Sequence, residues 1–270
     1  MGTTMQQEVS TPVRAKTGDF VWYELRTTDA KAAEAFYTHV VGWQAKDSGN
    51  PGGIPYTLFS VGDLGAAGLM QLSPEMLAEG MRPAWVGFVG VDDVDAYAER
   101  LVQAGGKLHC EPQDIPGIGR FVSVEDPQGA VFLLFKGSLD YAPPRPAAGA
   151  SGTIGWNELS ANDGESAWPF YSKLFGWTED HTMDMGPLGT YRIFNNGGNP
   201  IGAMMTRDSS KSPAPFWLYY FNVDNIDAAA ARISEQGGQI CMGPHEVPGS
   251  LWIVLGSDPQ GAMFAVVGPK

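Results

Sequence analysis

The sequence has few of the residues that build disulfides and cysteine-based metal sites, and it has no long apolar segment. Its two cysteines, Cys110 and Cys241, stand apart and form no CxxC pair, which excludes a cysteine-based zinc site and is typical of a reducing compartment. No apolar run approaches the roughly 20 residues of a membrane span. The first 17 residues contain no apolar core of a signal peptide. We therefore expect a cytoplasmic protein with a loose N-terminal tail over residues 1–18.

Basic residues are also scarce, because 17 Lys and Arg stand against 30 Asp and Glu and give a formal net charge of −13. Such a surface repels phosphate backbones and anionic lipids, so we expect neither nucleic acid nor a membrane as a partner. A net negative charge of this size also favours solubility, without any role in binding. The expected partner is a small-molecule ligand or substrate, and the sequence leaves open whether the chain is a monomer or a homodimer.

The chain is a tandem duplication. Trp22-Tyr23-Glu24-Leu25 aligns with Trp156-Asn157-Glu158-Leu159, and the segment Asp126-Pro127-Gln128-Gly129-Ala130 recurs unchanged at 258–262. The period is about 133 residues, which is the length of a domain rather than of a solenoid repeat. Residues 137–152 are rich in Pro, Ala and Gly and are typical of a linker. This places domain 1 at 19–136 and domain 2 at 153–270.

Each copy contains short strands and amphipathic helices. The 35 glycines and 20 prolines favour many strands joined by turns. In the first helix Ala33, Phe36, Tyr37 and Val40 recur at helical spacing, with Asp29 or Thr28 as its N-cap. Pro169 in the second copy is tolerable only near the first turn of the matching helix. The order of elements predicts an α+β fold in which each copy holds two βαβββ modules.

The order and spacing of these segments resemble those of a known superfamily. The resemblance depends on four motifs in a fixed order. They are an opening strand followed by Asp, an Ala-x-x-Phe-Tyr segment with a later Gly-Trp, a Val-Asp pair before a Gly-Gly pair, and Asp-Pro-Gln-Gly before the last strand. Together they resemble the vicinal oxygen chelate superfamily of glyoxalase, bleomycin-resistance and extradiol dioxygenase proteins. The chain resembles in particular two-copy bacterial members of this length, some of which are described as hydroxylases in antibiotic pathways. The resemblance implies that each domain is a cupped eight-stranded sheet with outer helices.

The resemblance also implies four metal-ligand positions in each cup, on which family members usually carry His, Glu or Gln. In this chain those positions carry Trp22, Leu69 or Met70, Val86 and Leu133 in copy one, and Trp156, Met204 or Met205, Leu218 and Ala265 in copy two. None of these side chains binds a hard divalent cation. We therefore expect no metal and no other cofactor.

Glu24 and Glu158 are the candidate catalytic residues. Strand alternation places them on the same face as Trp22 and Trp156, inside the cups, whereas Val21 and Leu25 should face the helices. A carboxylate among apolar groups has a raised pKa and can act as a general base or bind a donor group. The alternative is a structural anchor, which the presence of a glutamate in both copies favours.

Aromatic residues at matching positions are the candidate ligand contacts, since an aromatic ring with a polar tip suits a flat ligand. The set consists of Trp22, Tyr56, Trp85, Trp156, Tyr191, Trp217 and Trp252, together with Arg120, which occupies the position of Trp252 in the other copy. An arginine beside an aromatic cup can hold an anion. The alternatives are core packing for the aromatics and a surface ion pair for Arg120.

Three function classes remain open. The first is a metal-free binding protein for a small aromatic or polyketide-like molecule. The second is a metal-independent lyase, isomerase or hydroxylase-type enzyme that uses a cup glutamate as base. The third, a metal-dependent dioxygenase or glyoxalase, is disfavoured by the missing ligands.

Overall fold

The structure is a computed structural model of the chain and describes residues 16–49, 54–138 and 147–270. Most of the tail assigned to 1–18 and the central part of the linker assigned to 137–152 lie outside the described residues. No helix in the described ranges is long and apolar enough to cross a bilayer.

The first half of the chain forms one mixed sheet with helices on one side. Its strands are β1 (Phe20–Thr27), β2 (Gln44–Asp47), β3 (Tyr56–Val61), β4 (Leu64–Gln71), β5 (Ala84–Gly90), β6 (Lys107–Leu108), β7 (Gln113–Ile115), β8 (Gly119–Glu125) and β9 (Val131–Gly137). Its helices are α1 (Ala30–Val40), α2 (Pro74–Ala78) and α3 (Val94–Gln103). Apolar periodicity did not predict α2, because this short helix buries none of its residues.

The second half repeats this arrangement. Its strands are β10 (Ile154–Ala161), β11 (Thr178–Asp184), β12 (Thr190–Asn195), β13 (Pro200–Thr206), β14 (Phe216–Asn222), β15 (Gln239–Val247), β16 (Leu251–Ser257) and β17 (Met263–Gly268). Its helices are α4 (Gly164–Phe175) and α5 (Ile226–Glu235), with a 3₁₀ turn at Gly186–Leu188.

The two sheets have the same strand order, as the duplication predicts. The first sheet runs β2-β3-β4-β1-β5-β9-β8-β6, and the second runs β11-β12-β13-β10-β14-β17-β16-β15. In both sheets the opening strand lies at the centre, parallel to one neighbour and antiparallel to the other. The halves differ at one edge, where β6 and the additional β7 both pair with β8 but β15 is continuous. The α+β fold of two tandem domains is therefore confirmed.

The predicted apolar stripe holds α1 in place, and one detail of α4 differs from expectation. The carboxylate of Asp29 accepts the N–H of Ala32 and caps α1, whose stripe residues are all buried. Pro169 lies in the second turn of α4 rather than the first. Because proline has no N–H, the helix forgoes the hydrogen bond to the carbonyl of Glu165 there.

The helix-bearing faces of the two sheets meet in one continuous apolar core. Leu25 is fully buried in this core, as alternation along β1 predicts. Val21 is not: it packs with Val86 and Phe88 on the opposite face. The prediction for Val21 was wrong because the register of β1 against β5 shifts between Phe20 and Trp22, and this irregularity interrupts the alternation.

Two matching hydrogen-bond chains cross this core from one domain to the other. The Tyr37 hydroxyl donates to Oδ2 of Asp258 over 3.1 Å and accepts the indole N–H of Trp85 over 2.8 Å. In the matching chain Tyr171 donates to Asp126 over 2.9 Å, and Trp217 donates to Tyr171 over 3.3 Å. Each aspartate belongs to the repeated Asp-Pro-Gln-Gly turn, so that turn joins the domains.

We predict that Tyr37→Phe and Tyr171→Phe each lower the free energy of unfolding by about 1–3 kcal/mol, because each removes the hydroxyl that donates to Oδ2 of a buried aspartate and accepts a buried indole N–H. Urea unfolding measures the change. Tyr97→Phe is the control, since the Tyr97 hydroxyl makes no hydrogen bond with a described residue. Equal losses in all three variants would contradict the cross-domain role.

Candidate functional site

The face of each sheet that points away from the helices carries its own apolar cluster, and we call these faces cup 1 and cup 2. Cup 1 contains Val21, Trp22, Val86, Phe88, Phe121, Leu133 and Phe135. Cup 2 contains Trp156, Phe216, Leu218, Tyr220, Ile253, Leu255, Met263, Ala265 and Val267. The opening strands β1 and β10 lie at the centre of their sheets, so their cup-facing side chains lie at the middle of each cup.

Glu24 lies in cup 1 with 7% of its surface exposed. Its Oε1 accepts the Nε–H of Arg26 over 3.1 Å, so a cation on the same face of β1 compensates its charge. The indole of Trp22 donates to the Tyr56 hydroxyl over 2.9 Å. Burial, followed by the charge of Glu24, raises the pKa of Tyr56 well above its usual range. Gly68 permits this arrangement, since a Cβ there would lie 1.9 Å from the Tyr56 hydroxyl.

Glu158 lies at the matching place in cup 2 with 8% of its surface exposed. Its Oε2 accepts two hydroxyls, from Tyr191 over 2.7 Å and from Tyr220 over 3.0 Å. The indole of Trp156 donates to Tyr191 over 3.0 Å. Burial raises the pKa of Glu158, although the two hydroxyls partly oppose this rise. Burial and the charge of Glu158 also raise the pKa of both tyrosines.

The two cups therefore share a Trp–Tyr–Glu arrangement and differ in what compensates the carboxyl group. Ser160 stands in cup 2 where Arg26 stands in cup 1, and Tyr220 stands where Phe88 stands. Cup 1 thus supplies a cation and cup 2 a second phenol. Our sequence reasoning missed Tyr220, although it shares the parity of Leu218 along its strand.

Comparison with known proteins agrees with this geometry. The model of the Glyoxalase/Bleomycin resistance protein/Dioxygenase superfamily matches residues 19–134 and 153–266. The chain belongs to this superfamily. A two-copy match over most of the chain agrees with the two sheets described above.

Four of the similar proteins are 31% or 33% identical to this chain. The putative glyoxylase CFP32 of Mycobacterium tuberculosis (strain CDC 1551 / Oshkosh) is 33% identical, over 92% of this chain and 94% of the relative. The anthracycline biosynthesis protein DnrV of Streptomyces peucetius is 31% identical, over 94% of each chain.

Solved structures show the same fold at lower identity. The Mn(II)-bound glyoxalase from Novosphingobium aromaticivorans has a TM-score of 0.65 at 16% identity, covering 94% of this chain and 83% of that one. The 2,3-dioxygenase LapB from Pseudomonas sp. KL28 has a TM-score of 0.62 at 12% identity, covering 96% and 93%.

The side chains at the superfamily's metal positions do not fit a divalent metal. Trp22, Val86 and Leu133 lie in cup 1, and Trp156, Leu218 and Ala265 lie in cup 2. On β4 the cup-facing residue is Met70, which pairs with Arg26, and on β13 it is Met205, which pairs with Ser160. Leu69 and Met204 lie in the helix-side core. In the described part of the chain no three His, Cys, Asp or Glu side chains are grouped to hold a metal ion. Each cup thus offers a single carboxyl group and not the set of several oxygen and nitrogen ligands that such an ion needs.

Trp85 and Trp217 do not line the cups. Both belong to the helix-side core, where each donates its indole N–H to the tyrosine of a cross-domain chain. They lie there because Trp85 pairs with Leu25, and Trp217 with Leu159, on the helix side of the sheet, which removes both from the surface on which a cup ligand was expected. The core alternative applies to both.

Arg120 and Trp252 also lie outside the cups. Arg120 makes ion pairs with Asp95 of α3 (2.7 Å) and with Asp114 (3.1 Å), while the adjacent Phe121 faces cup 1. Trp252 packs against the helix-side core beneath the Lys270 ammonium, 3.9 Å from the ring centroid. The structure places both outside the cups because they have the opposite strand parity from the cup residues Phe121 and Ile253.

We predict that the purified, untagged protein holds no stoichiometric transition metal, because both sets of inherited ligand positions are apolar or carry thioethers. Elemental analysis checks this, and addition of EDTA should leave the melting temperature unchanged. One Zn, Ni, Fe or Mn per chain would contradict the prediction.

A second prediction concerns stability against pH. The pKa of Glu158 is raised by burial above the usual 4.5, so the unfolded state loses its proton first and the stability from this group falls as the pH rises above about 4.5. Glu158→Gln removes this loss. The stability of the variant relative to the wild type should therefore grow with pH, by about 1.4 kcal/mol for each unit of pKa elevation.

Urea unfolding of both proteins over a series of pH values measures this difference, in which contributions from the other carboxyl groups cancel. A difference that stays constant with pH, or that shrinks as the pH rises, would show that Glu158 has no raised pKa.

Proposed function

We propose that the protein binds a small aromatic or polyketide-like molecule in cup 2 without a metal. The observation that carries this proposal is the cluster of Glu158, Tyr191 and Tyr220, a carboxyl group and two phenols within an apolar surface. Ligand sites are typically apolar surfaces with a few convergent polar groups that fix orientation. Trp156 and Phe216 supply flat contact area beside the cluster.

Cup 2 is preferred over cup 1 because of the way each carboxyl group is compensated. In cup 1 the Arg26 guanidinium already occupies Oε1 of Glu24. In cup 2 the phenols both bind Oε2 of Glu158 and leave its Oε1 without a hydrogen bond from any described residue. The anthracycline biosynthesis proteins among the relatives support the choice of a polyketide-like ligand class.

Tryptophan fluorescence tests the proposal and distinguishes the cups. We predict that aromatic ketones quench the wild type, that Trp156→Phe loses most of this quenching, and that Trp22→Phe keeps it. The two variants are matched controls, since each removes an indole that donates to a cup tyrosine. Absence of quenching in the wild type, or loss only in Trp22→Phe, would contradict binding in cup 2.

A second candidate function is metal-independent catalysis with Glu158 as general acid or base. The raised pKa of Glu158 favours it, because a carboxyl group that titrates nearer neutral pH exchanges protons more effectively under working conditions. The elementary step is removal of a proton from the carbon next to a carbonyl group, followed by its return from solvent.

Proton exchange in D₂O tests this candidate. Deuterium should enter the α position of 1-indanone in the presence of wild type and Glu24→Gln but not of Glu158→Gln, and EDTA should have no effect. Equal exchange with all three proteins would contradict a catalytic role for Glu158.

A further inference from the structure

The hydrogen bonds around Glu158 assign different roles to its two oxygens. Oε2 accepts both tyrosine hydroxyls, which fills the two lone pairs of a carbonyl-type oxygen. The Tyr191 oxygen itself accepts the indole N–H of Trp156, so its own proton is directed to Glu158. Oε1 accepts no hydrogen bond from the described residues. If the carboxyl group is protonated, Oε1 is therefore the oxygen that carries the proton.

We propose that Oε1 of Glu158 is protonated and that its O–H donates a hydrogen bond to a carbonyl oxygen of the ligand. Cup 2 then selects aromatic ketones and quinones. The inference rests on the proposed function, which supplies the cup and the aromatic class, and adds the functional group that the cup recognises.

A carbonyl oxygen is the group that this arrangement lacks. A carboxylic acid whose carbonyl oxygen already accepts two hydrogen bonds can still donate one, and an unmet donor in an apolar site is unfavourable. The remaining cup 2 surface includes Leu218, Ala265, Val267 and Ile253, none of which has a side-chain acceptor. An aromatic ketone supplies the acceptor and a flat apolar body together. A hydrocarbon of the same shape leaves the donor unpaired.

Burial supports the protonated form, because it is the largest cause of the raised pKa of Glu158. The other titratable groups that face it are Tyr191 on β12 and Tyr220 on β14, whose raised pKa values keep both phenols neutral. The facing side chain on β13 is Met205, which has no charge. His245 on the edge strand β15, opposite Ile253, and His181 on the edge strand β11, opposite Ile193, lie on the cup side and are the groups to be controlled in a pH experiment.

Cup 1 lacks this donor. The Arg26 Nε–H points at Oε1 of Glu24, so the guanidinium supplies the balancing positive charge. Phe88 replaces Tyr220, so one of the two phenols that fill the carbonyl-type oxygen is missing. The duplication thus provides an internal control for every measurement on cup 2.

Equilibrium dialysis with 9-fluorenone and fluorene tests the inference, since the two probes share a ring system, differ in one carbonyl group and do not titrate. We expect fluorenone to bind about tenfold more tightly than fluorene at a pH below the usual 4.5 of a glutamate, where Glu158 is protonated, and this factor corresponds to one net hydrogen bond. This preference should disappear as the pH rises through the pKa of Glu158 and the proton is lost. The wild type alone suffices for this comparison.

Variants identify the donor. Glu158→Gln should keep the preference for fluorenone and make it independent of pH, because the amide carbonyl accepts the two phenols while its NH₂ group donates to the ligand. Glu24→Gln, His181→Gln and His245→Gln should behave as the wild type. If Glu158→Gln does not fold, the wild-type pH comparison and the three other variants still decide the outcome.

Three results would overturn the inference while leaving ligand binding intact: equal affinity for both probes, a fluorenone preference that grows with pH, or loss of pH dependence in His181→Gln or His245→Gln. Failure of both probes to bind at any pH would contradict the proposed function together with the inference.

Discussion

A carboxyl group that folding removes from water must be paired with a cation, given hydrogen-bond donors or kept protonated, and the two cups are built around this constraint. Each opening strand carries a glutamate two residues after a tryptophan, at the middle of an apolar cup. Cup 1 compensates Glu24 with the Arg26 guanidinium. Cup 2 compensates Glu158 with the hydroxyls of two tyrosines, and no charged side chain among the described residues pairs with it. The chemistry that each cup can perform follows from this difference.

The rest of the structure is nearly the same in both copies, and it isolates the cups from each other. Tyr37 with Asp258 and Tyr171 with Asp126 cross the helix-side core in matching chains. Each aspartate also accepts backbone N–H groups of its own turn, so the turn and the partner domain fix one another. Because the helix faces are joined in one core, the two cups lie on opposite outer faces. One cup can then change its chemistry without disturbing the interface.

Much of this architecture could be predicted from the sequence, because repetition and period-two alternation are properties of the chain itself. The likeness of the two halves and the cup positions of Glu24 and Glu158 follow from them, whereas the eight-stranded sheet was implied by the resemblance to the superfamily. The orientation of Val21 was mispredicted because the irregularity in β1 arises from its pairing with β5 and is not visible in the apolar pattern of the sequence. Trp85 was missed for a different reason: Val86 in the cup already requires its neighbour Trp85 to face the helices. Trp85 had been chosen as a ligand contact for its aromatic side chain, without regard to its position in the strand alternation.

Nuclear magnetic resonance of protein labelled with ¹³C at the glutamate side-chain carboxyl tests the central claim most directly, with the Glu158 resonance identified by its absence in Glu158→Gln. The account predicts that this carboxyl group titrates at a pH above the usual 4.5 and is not affected by Glu24→Gln. A titration midpoint at or below the usual value would show that two phenols stabilise an ionised carboxylate in cup 2. Glu158 could then not donate a hydrogen bond to a ligand under working conditions.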